Sequence, residues 1–419
     1  MSSRADLAFA ALRAGDDARA LFTAAIAADP SNPQLRIGEA EARFAAGETE
    51  PWACLDPLLA AQPEWLDGQN LRAALRWEGG WGPAFADGFR TAIARRPDHA
   101  GLWNAYITIL AGVGDHDGAA NAAHDAQARF DAPILRLIEA SHAGLAGDVP
   151  RADRLLMSLP EDLPGRALVD VRQALRHAKF DTAESLLATA RNESPADFGT
   201  WALFDIVWRL LDDARADWLS RQEGLIATVE LPLSSGDIEE LSSTLRTLHR
   251  QRAQPVGQSV RGGTQTRGPL FDRRDPAIQH LHRAIQDGVD RYRANLPGHD
   301  DEHPLLRHRD RRLLARGGWS VRLQGSGHHV SHIHPGGILS SACYLVVPAL
   351  DAETQEGWLE LGAPPRDLMV DLPPLAIVEP KPGRLVLFPS YLYHGTRPFG
   401  AGERLTVAFD AVAEGRSAV

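Results

Sequence analysis

WSVRLQGSGHHVSHIHP, residues Trp319 to Pro335, decides how the second half of the chain folds. It is typical of short β-strands interrupted by Gly, and it holds four histidines, His328, His329, His332 and His334. Strand side chains alternate between faces, so His328, His332 and His334 are expected on one face and His329 on the other. Neutral histidines crowd poorly in an apolar interior unless they bind something, so the pattern predicts a metal site. A surface His-rich strand or a hydrogen-bonded cluster is the alternative.

A second stretch, RLVLFPSYLYHGTRPFGAGERLTVAF from Arg384 to Phe409, supplies partners for this strand. His394 follows an apolar strand and a turn, which makes it the natural third ligand. Arg404 begins another apolar strand, so its side chain is expected inside the domain. A buried guanidinium needs a carboxylate partner, and the adjacent Glu403 would point the opposite way. The partner is then a bound acid or, alternatively, some other acidic residue of the chain.

The region around both stretches consists of short strand patterns separated by Gly and Pro. Such spacing is typical of antiparallel strands in a barrel or sandwich. With metal ligands on the second and seventh of these strands, the pattern resembles a double-stranded β-helix, or jelly roll. The predicted strands are Trp319–Gln324, His328–His334, Ser341–Val347, Gly357–Leu361, Ala376–Pro380, Arg384–Phe388, Leu392–Thr396 and Leu405–Val412.

Several motifs in fixed order carry a family resemblance over about residues 250–415: HIHPG, YLVVP, PGRLVLFPS, YHG and GERLTVAF. Together they resemble the Fe(II)/2-oxoglutarate-dependent dioxygenases. The resemblance implies Fe(II), 2-oxoglutarate and O2, with hydroxylation as the reaction. It implies His332, His334 and His394 as the metal and catalytic residues. Arg404 would bind the far carboxylate of 2-oxoglutarate, with a hydrogen bond from Tyr344.

His334 departs from the usual pattern of the resemblance. The usual triad is two histidines and one carboxylate, and His334 occupies the carboxylate position. Three neutral ligands leave the double positive charge of the ion uncompensated. The sequence leaves open whether His334 truly replaces the carboxylate.

The first half of the chain is Ala- and Leu-rich and contains repeats. A turn signal recurs about every 33 residues, at Gly15, Gly47, Gly79-Gly80, Gly114 and Gly147, with Pro30, Pro63 and Pro97 in step. A degenerate copy is predicted at Lys179–Asp181. The pattern resembles about six tetratricopeptide repeats. Such repeats present a concave face suited to a peptide or protein partner. Assembly into a homodimer, or support of the second domain, is the alternative.

The chain is therefore predicted to be an α+β multidomain protein. Residues 1–215 form an all-α helical-repeat solenoid, and residues 216–419 form the oxygenase-like jelly roll with flanking helices. The flanking elements are a strand at Leu225–Leu233 and helices at Ile238–Gln251 and Pro276–Leu296. Residues 254–269 are either a linker or an ordered loop near the site, since polar Gln258, Arg261 and Thr264 lie there.

Composition limits the function classes. The 419 residues carry a net charge of -11, which disfavours general binding to nucleic acid or anionic membranes. Cys54 and Cys343 are far apart, which disfavours a disulfide framework and a cysteine-ligated zinc site. The N-terminal residues lack the pattern of a signal peptide, and no apolar run reaches membrane-spanning length. A cytoplasmic location is expected.

Three hypotheses follow for function. The first is a 2-oxoglutarate-dependent hydroxylase of a protein or peptide that the repeats recruit. The second is the same chemistry on a small molecule, with the repeats serving assembly. The third is a non-catalytic scaffold whose jelly roll binds metal structurally.

Overall fold

The computed structural model describes residues 3–195, 197–349 and 353–415. Helices fill the first half of the chain, as the repeats predicted. They are α1 (Arg4–Ala14), α2 (Arg19–Ala28), α3 (Pro33–Ala45), α4 (Asp56–Ala61), α5 (Leu66–Glu78), α6 (Asp87–Arg95), α7 (Ala100–Gly112), α8 (His116–Gln127), α9 (Pro133–Leu145), α10 (Val149–Met157), α11 (Arg166–Arg176), α12 (Phe180–Glu193), α13 (Phe198–Leu210) and α14 (Arg215–Ser220). Two longer helices follow, α15 (Ser235–Leu248) and α16 (Pro276–Ala294).

The turns between paired helices lie where the sequence predicted them. The backbone there is left-handed, which glycine adopts at little cost, and φ is positive at Gly15, Gly47, Gly80, Gly114 and Gly147. The same conformation recurs at Ala178 and Asp212, both with φ of 54°. The period therefore continues beyond the glycines, and the degenerate copy predicted near Lys179 is confirmed. Small residues allow the close approach of these helices. Ala8 and Ala119 are fully buried, and Gly38 lies against the ring of Phe22.

The chain divides into two compact units. The first consists of residues 1–159, 248–258 and 272–275, and the second of residues 160–247, 259–271 and 276–419. Helices α11 to α14 thus belong to the second unit, although they continue the repeat period. Within that unit, Arg176 of α11 binds Asp367 at 3.0 Å, and Arg209 of α13 donates to the carbonyl of Gly362. The domain boundary after residue 215, which marks where the repeat pattern ends, stays a prediction.

The second unit contains two antiparallel sheets that build the predicted jelly roll. The larger has the order β1-β7-β4-β9-β3-β2 and the smaller the order β6-β5-β8. The strands are β1 (Ala227–Glu230), β2 (Val260–Gln265), β3 (Leu313–His329), β4 (Leu339–Val346), β5 (Leu359–Leu361), β6 (Ala376–Val378), β7 (Arg384–Pro389), β8 (His394–Thr396) and β9 (Glu403–Ala413). The core is apolar and close-packed, with Leu385, Leu387, Phe388, Val407 and Phe409 fully buried.

Two local predictions need correction. The predicted strand His328–His334 is wrong, because β3 runs from Leu313 and ends at His329. The linker alternative for residues 254–269 is also wrong. Val260–Gln265 is β2, hydrogen-bonded to β3, and Gly257 donates its N–H to the carbonyl of Gly112 at 2.7 Å. Among the described residues, no helix combines the length and apolarity needed to cross a membrane.

Candidate metal centre

The backbone brings two distant histidines together. His332 lies just beyond the end of β3, and His394 begins β8. The two residues form an isolated antiparallel bridge, in which His332 N–H donates to the His394 carbonyl at 3.0 Å and the reverse bond is 2.9 Å. Chain segments about sixty residues apart are therefore fixed to one another at the ring-bearing positions.

His334 completes a cluster with His332 and His394. One ring nitrogen from each residue lies within 4.8 Å of the others. The Nε2 atoms of His332 and His334 are 3.0 Å apart, and the His332 and His394 rings have centroids separated by 4.1 Å. The cluster is enclosed, since His394 is buried and the other two are half-buried. The structure thus brings together the three histidines that the sequence predicted as a group.

Each ring of the cluster is held through Nδ1. His332 Nδ1 is 2.9 Å from the Val330 carbonyl, and His394 Nδ1 is 3.0 Å from the Leu392 carbonyl. His334 Nδ1 is 2.7 Å from Oδ1 of Asp410. Carbonyl and carboxylate oxygens only accept, so these contacts put the proton of each neutral ring on Nδ1. Every Nε2 is left with a lone pair available to a metal ion.

The spacing of the nitrogens fits a metal ion. Two unprotonated Nε2 atoms 3.0 Å apart, those of His332 and His334, repel one another unless a cation lies between them. Nitrogens bound at about 2.1 Å in adjacent positions around one ion are about 3.0 Å apart. The donor set therefore suits a first-row divalent ion that accepts imidazole, and Fe(II) is one of these.

The electrostatics keep the rings of His332 and His394 neutral. Burial, followed by the neighbouring His334, lowers the pKa of His332 to about 3. Burial and then His332 and His334 hold the pKa of His394 well below its usual value. Neutral imidazole is the form that binds metal, so His332 and His394 need no deprotonation near neutral pH.

His329, rather than His328, lies on the side of the cluster. The alternation argument predicted the opposite, and it fails because β3 ends at His329 and the chain bends before His332. The rings of His329 and His332 are stacked, with centroids 5.8 Å apart. His328 Nδ1 instead faces the carbonyl of Ser326 at 3.1 Å.

Arg404 and Tyr344 form a second polar group inside the same unit. The Arg404 guanidinium carbon lies 4.9 Å from the centre of the Tyr344 ring, and both side chains are buried. Arg404 donates from Nη1 to the Gly357 carbonyl at 2.5 Å. Among the described residues no carboxylate pairs with it, and its Nε and the Tyr344 hydroxyl have no hydrogen-bond partner. Burial lowers the pKa of Arg404 and raises that of Tyr344.

This second group is electrostatically close to the histidines. The pKa of His329 is lowered well below its ordinary value by burial, then by His332 and then by Arg404. A buried cation with an unsatisfied donor therefore lies in the neighbourhood of the cluster. A dianionic ligand with one end at the histidines would satisfy it.

Two contact residues were missed from the sequence. Ser259 Oγ is 3.1 Å from His332 Nε2 and 2.9 Å from His329 Nδ1. Ser259 lies in the polar segment 254–269, next to Gln258, but the sequence analysis named only Gln258, Arg261 and Thr264. Asp410, the acceptor for His334, is an even number of residues beyond Arg404 on β9. Strand alternation from Arg404 was the signal that could have found it.

Residues 317–410 match the family model described as "Putative 2OG-Fe(II) oxygenase". This part of the second unit is therefore similar to the 2-oxoglutarate–Fe(II) oxygenase family, and it follows tetratricopeptide-like helical repeats. No curated protein matches the chain.

Solved structures resemble parts of the chain at low identity. A prolyl-4-hydroxylase from Pseudomonas putida is 16% identical, covering 46% of this chain and 94% of its own, with a TM-score of 0.32. HygX from Streptomyces hygroscopicus, solved with nickel and 2-oxoglutarate, is 16% identical, covering 46% of this chain and 85% of its own, with a TM-score of 0.30. A tetratricopeptide repeat protein from Parabacteroides merdae is 14% identical, covering 51% of this chain and 87% of its own, with a TM-score of 0.35.

Proposed function

We propose that the chain is an Fe(II)/2-oxoglutarate-dependent dioxygenase that hydroxylates its substrate. The observation that carries the proposal is the set of three histidines whose Nδ1 atoms are all bonded to acceptors. One ring nitrogen from each lies within 4.8 Å of the others, and the Nε2 atoms of His332 and His334 are 3.0 Å apart. His332, His334 and His394 would hold Fe(II) through Nε2. The family match of residues 317–410 supports iron over other imidazole-binding metals.

The buried Arg404 supports 2-oxoglutarate as the co-substrate. Its guanidinium would bind the far carboxylate, and the Tyr344 hydroxyl would donate to the same group. Both have a donor without a partner among the described residues. When bound, Fe(II) with 2-oxoglutarate supplies the activation of O2 and the oxidation of a substrate C–H bond. The overall reaction converts a C–H bond, O2 and 2-oxoglutarate into C–OH, succinate and CO2.

The chain's own residues would orient the reactants and restrict water. The backbone bridge between His332 and His394 fixes two ligands before anything binds, which reduces the ordering cost of metal binding. Arg404 fixes one end of the keto acid, so the other end is directed toward the metal. Apolar residues such as Phe388, whose ring lies 4.7 Å from that of His394, exclude water from the ligands.

We propose a protein or peptide as the substrate, recruited by the helical repeats. Repeats of this kind present extended surfaces that suit polypeptide partners, and the net charge of -11 disfavours nucleic acid. A small-molecule substrate, with the repeats serving assembly into a homodimer, is the alternative. A cytoplasmic location is consistent with either.

The activity is tested by reconstituting the full chain with Fe(II) and 2-oxoglutarate without oxygen, and then admitting air. Succinate release that depends on both additions is expected. His394→Ala should lose Fe(II) binding and turnover. His328→Ala is the matched control, since that histidine lies in the same stretch but outside the cluster, and it should retain both. Stoichiometric metal without any 2-oxoglutarate turnover would instead favour a structural metal site.

The substrate class is tested separately on the active protein. Turnover of the keto acid should rise when the true substrate is added, as succinate release becomes coupled to product. Peptide libraries and small-molecule panels are then compared for that stimulation. A peptide supports recruitment by the repeats if it stimulates turnover and also binds to residues 1–159 of the intact chain.

A further inference from the structure

The carboxylate of Asp410 contacts the cluster from the large sheet. Its Oδ1 lies 2.7 Å from His334 Nδ1 and also accepts from Ser340 Oγ at 3.1 Å. Ser340 Oγ is in turn 2.9 Å from Ser390 Oγ, and both serines are fully buried. The carboxylate is therefore held in one orientation before any metal is present.

The three rings of the cluster differ in their acceptors. His332 and His394 face neutral backbone carbonyls, whereas His334 faces an acid. His334 is also the residue that occupies the carboxylate position of the usual triad. The negative charge that three histidines lack is thus present on Asp410, which is hydrogen-bonded to the His334 ring.

We propose that Asp410 is a positioning residue that supplies this negative charge through His334. The inference rests on the proposed function, because it concerns the same metal centre. The carboxylate fixes the Nδ1-protonated tautomer and the plane of the His334 ring. It also makes Nε2 a stronger donor, since a negative group behind an imidazole increases its basicity. Three neutral ligands can then bind a divalent ion with part of its charge compensated.

The register of the sheet makes this arrangement specific. Ser340 of β4 is directly opposite Asp410 of β9, so the hydroxyl and the carboxylate meet across one strand pair. Gly337 lies against the same side chain, because a Cβ at that position would be 2.8 Å from the Asp410 Cβ. The glycine leaves room for Asp410 beside the chain that carries His334.

Asp410→Asn tests the charge with little change in shape. Glu403→Gln is the matched control, a carboxylate-to-amide change on the same strand at a residue that binds Arg246 and Arg322. The readout is the affinity of the full chain for Co(II), measured by competition with a chromophoric chelator. Asp410→Asn should bind about 10–100-fold more weakly, and Glu403→Gln should bind as the unchanged protein does.

X-ray absorption of the Co(II) complex separates a positioning role from direct ligation. The number of imidazole nitrogens around the ion should be the same in the unchanged protein and in Asp410→Asn. Loss of an oxygen ligand in the variant would overturn the proposal, since Asp410 would then bind the ion itself. Equal Co(II) affinity of the variant and the unchanged protein would also overturn it.

Ser340→Ala provides a second variant in case Asp410→Asn fails to fold, and it removes only one donor to the carboxylate. It should weaken Co(II) binding roughly 2–5-fold, and an unchanged affinity would count against the proposal. The proposed function fails separately, by a different result. In that case the unchanged protein does not bind Co(II), or His334→Ala binds it equally well.

Discussion

At the scale of single residues, Arg404 and Tyr344 hold unsatisfied polar atoms in the interior. Burying a guanidinium without a carboxylate costs several kcal/mol in general, about 3–5 kcal/mol where a buried pair is broken. Only a gain elsewhere would keep such a residue in place. The chain contains many arginines with acidic partners, such as Arg322 with Glu403 at 2.6 Å. The contrast supports the proposal that Arg404 binds a ligand.

Changes at this pair should therefore separate affinity from stability. Arg404→Gln should weaken 2-oxoglutarate binding by about 10–100-fold, because a hydrogen bond to a charged group is worth about 1.5–3 kcal/mol. Tyr344→Phe should also weaken binding, but by less. Its free energy of unfolding should stay the same or rise by up to about 1 kcal/mol, since an unpaired buried hydroxyl is removed. Calorimetric titration and urea unfolding measure the two quantities.

Arg322→Gln is the control for Arg404, since it removes a nearby guanidinium that pairs with Glu403 near the surface. It should leave the affinity for 2-oxoglutarate unchanged. An Arg404→Gln variant that binds the keto acid normally would show that the buried cation has a structural role instead.

His303 gives the second unit a pH-dependent stability. The residue is fully buried, its Nδ1 accepts from the N–H groups of Leu305 and Leu306 at 3.1 Å, and Nε2 faces the Leu219 carbonyl at 3.0 Å. Burial lowers its pKa from 6.5 to about 4. The unfolded chain then binds a proton that the folded chain does not, so stability falls as pH drops from about 6.5 to about 4.

His303→Gln should reduce that dependence on pH. The contribution of this residue is roughly 3 kcal/mol between the two ends of the range, and the variant loses it whatever its stability at pH 7. Urea unfolding at several pH values from 4 to 7 measures the slope. His280→Gln, at an exposed position, should keep the slope of the unchanged protein. Parallel slopes for all three proteins would refute the assignment.

At the scale of elements, α13 is joined to segments beside the small sheet by Arg209, which also forms a buried ion pair within the helix. Arg209 and Asp205 are 3.1 Å apart with both side chains almost fully buried. Arg209 also donates to the carbonyl of Gly362 at 2.6 Å and to that of Pro373. Arg209 thus joins the helix to the turn that follows β5. Strand β5 pairs with β8, and its Leu361 lies opposite His394.

Breaking this pair should be costly, and removing both members less so. Arg209→Met leaves Asp205 buried without its cation and should lower the free energy of unfolding by about 3–5 kcal/mol. The double variant Arg209→Met/Asp205→Leu should recover part of the loss, because no uncompensated charge remains. Urea unfolding measures all three proteins. A double variant that is less stable than Arg209→Met would show that the carbonyl contacts, rather than the charges, dominate.

The elements also show what sequence patterns can and cannot predict. The glycine turns follow from local chemistry, since a left-handed turn favours glycine, and the period predicted them. The grouping of His332, His334 and His394 followed from strand patterns on either side of the site. The side assigned to His329 was wrong, because alternation holds only while a strand continues. Ser259 was missed because its contacts depend on pairing between distant segments, which one sequence does not specify, whereas alternation along β9 from Arg404 could have indicated Asp410.

At the scale of the whole molecule, the repeat period and the compact units end at different places. The period continues through Ala178 and Asp212, but helices α11 to α14 belong to the second unit. Their polar contacts explain why. Besides Arg176 and Arg209, the carbonyl of Leu219 accepts from the Tyr391 hydroxyl and faces His303. A local sequence period cannot reveal such long-range contacts.

The long-range contacts of α11 to α13 determine where the chain can be cut without loss of the fold. A protein of residues 160–419 should unfold cooperatively and bind Co(II), because it keeps the helices that contact the sheets. A protein of residues 216–419 should lose both properties, since Asp367 loses Arg176 and Gly362 loses Arg209 as interior partners. Thermal unfolding and chelator competition measure the two properties. If residues 216–419 also unfold cooperatively and bind Co(II), the functional boundary lies at residue 215, where the repeat pattern alone predicts it.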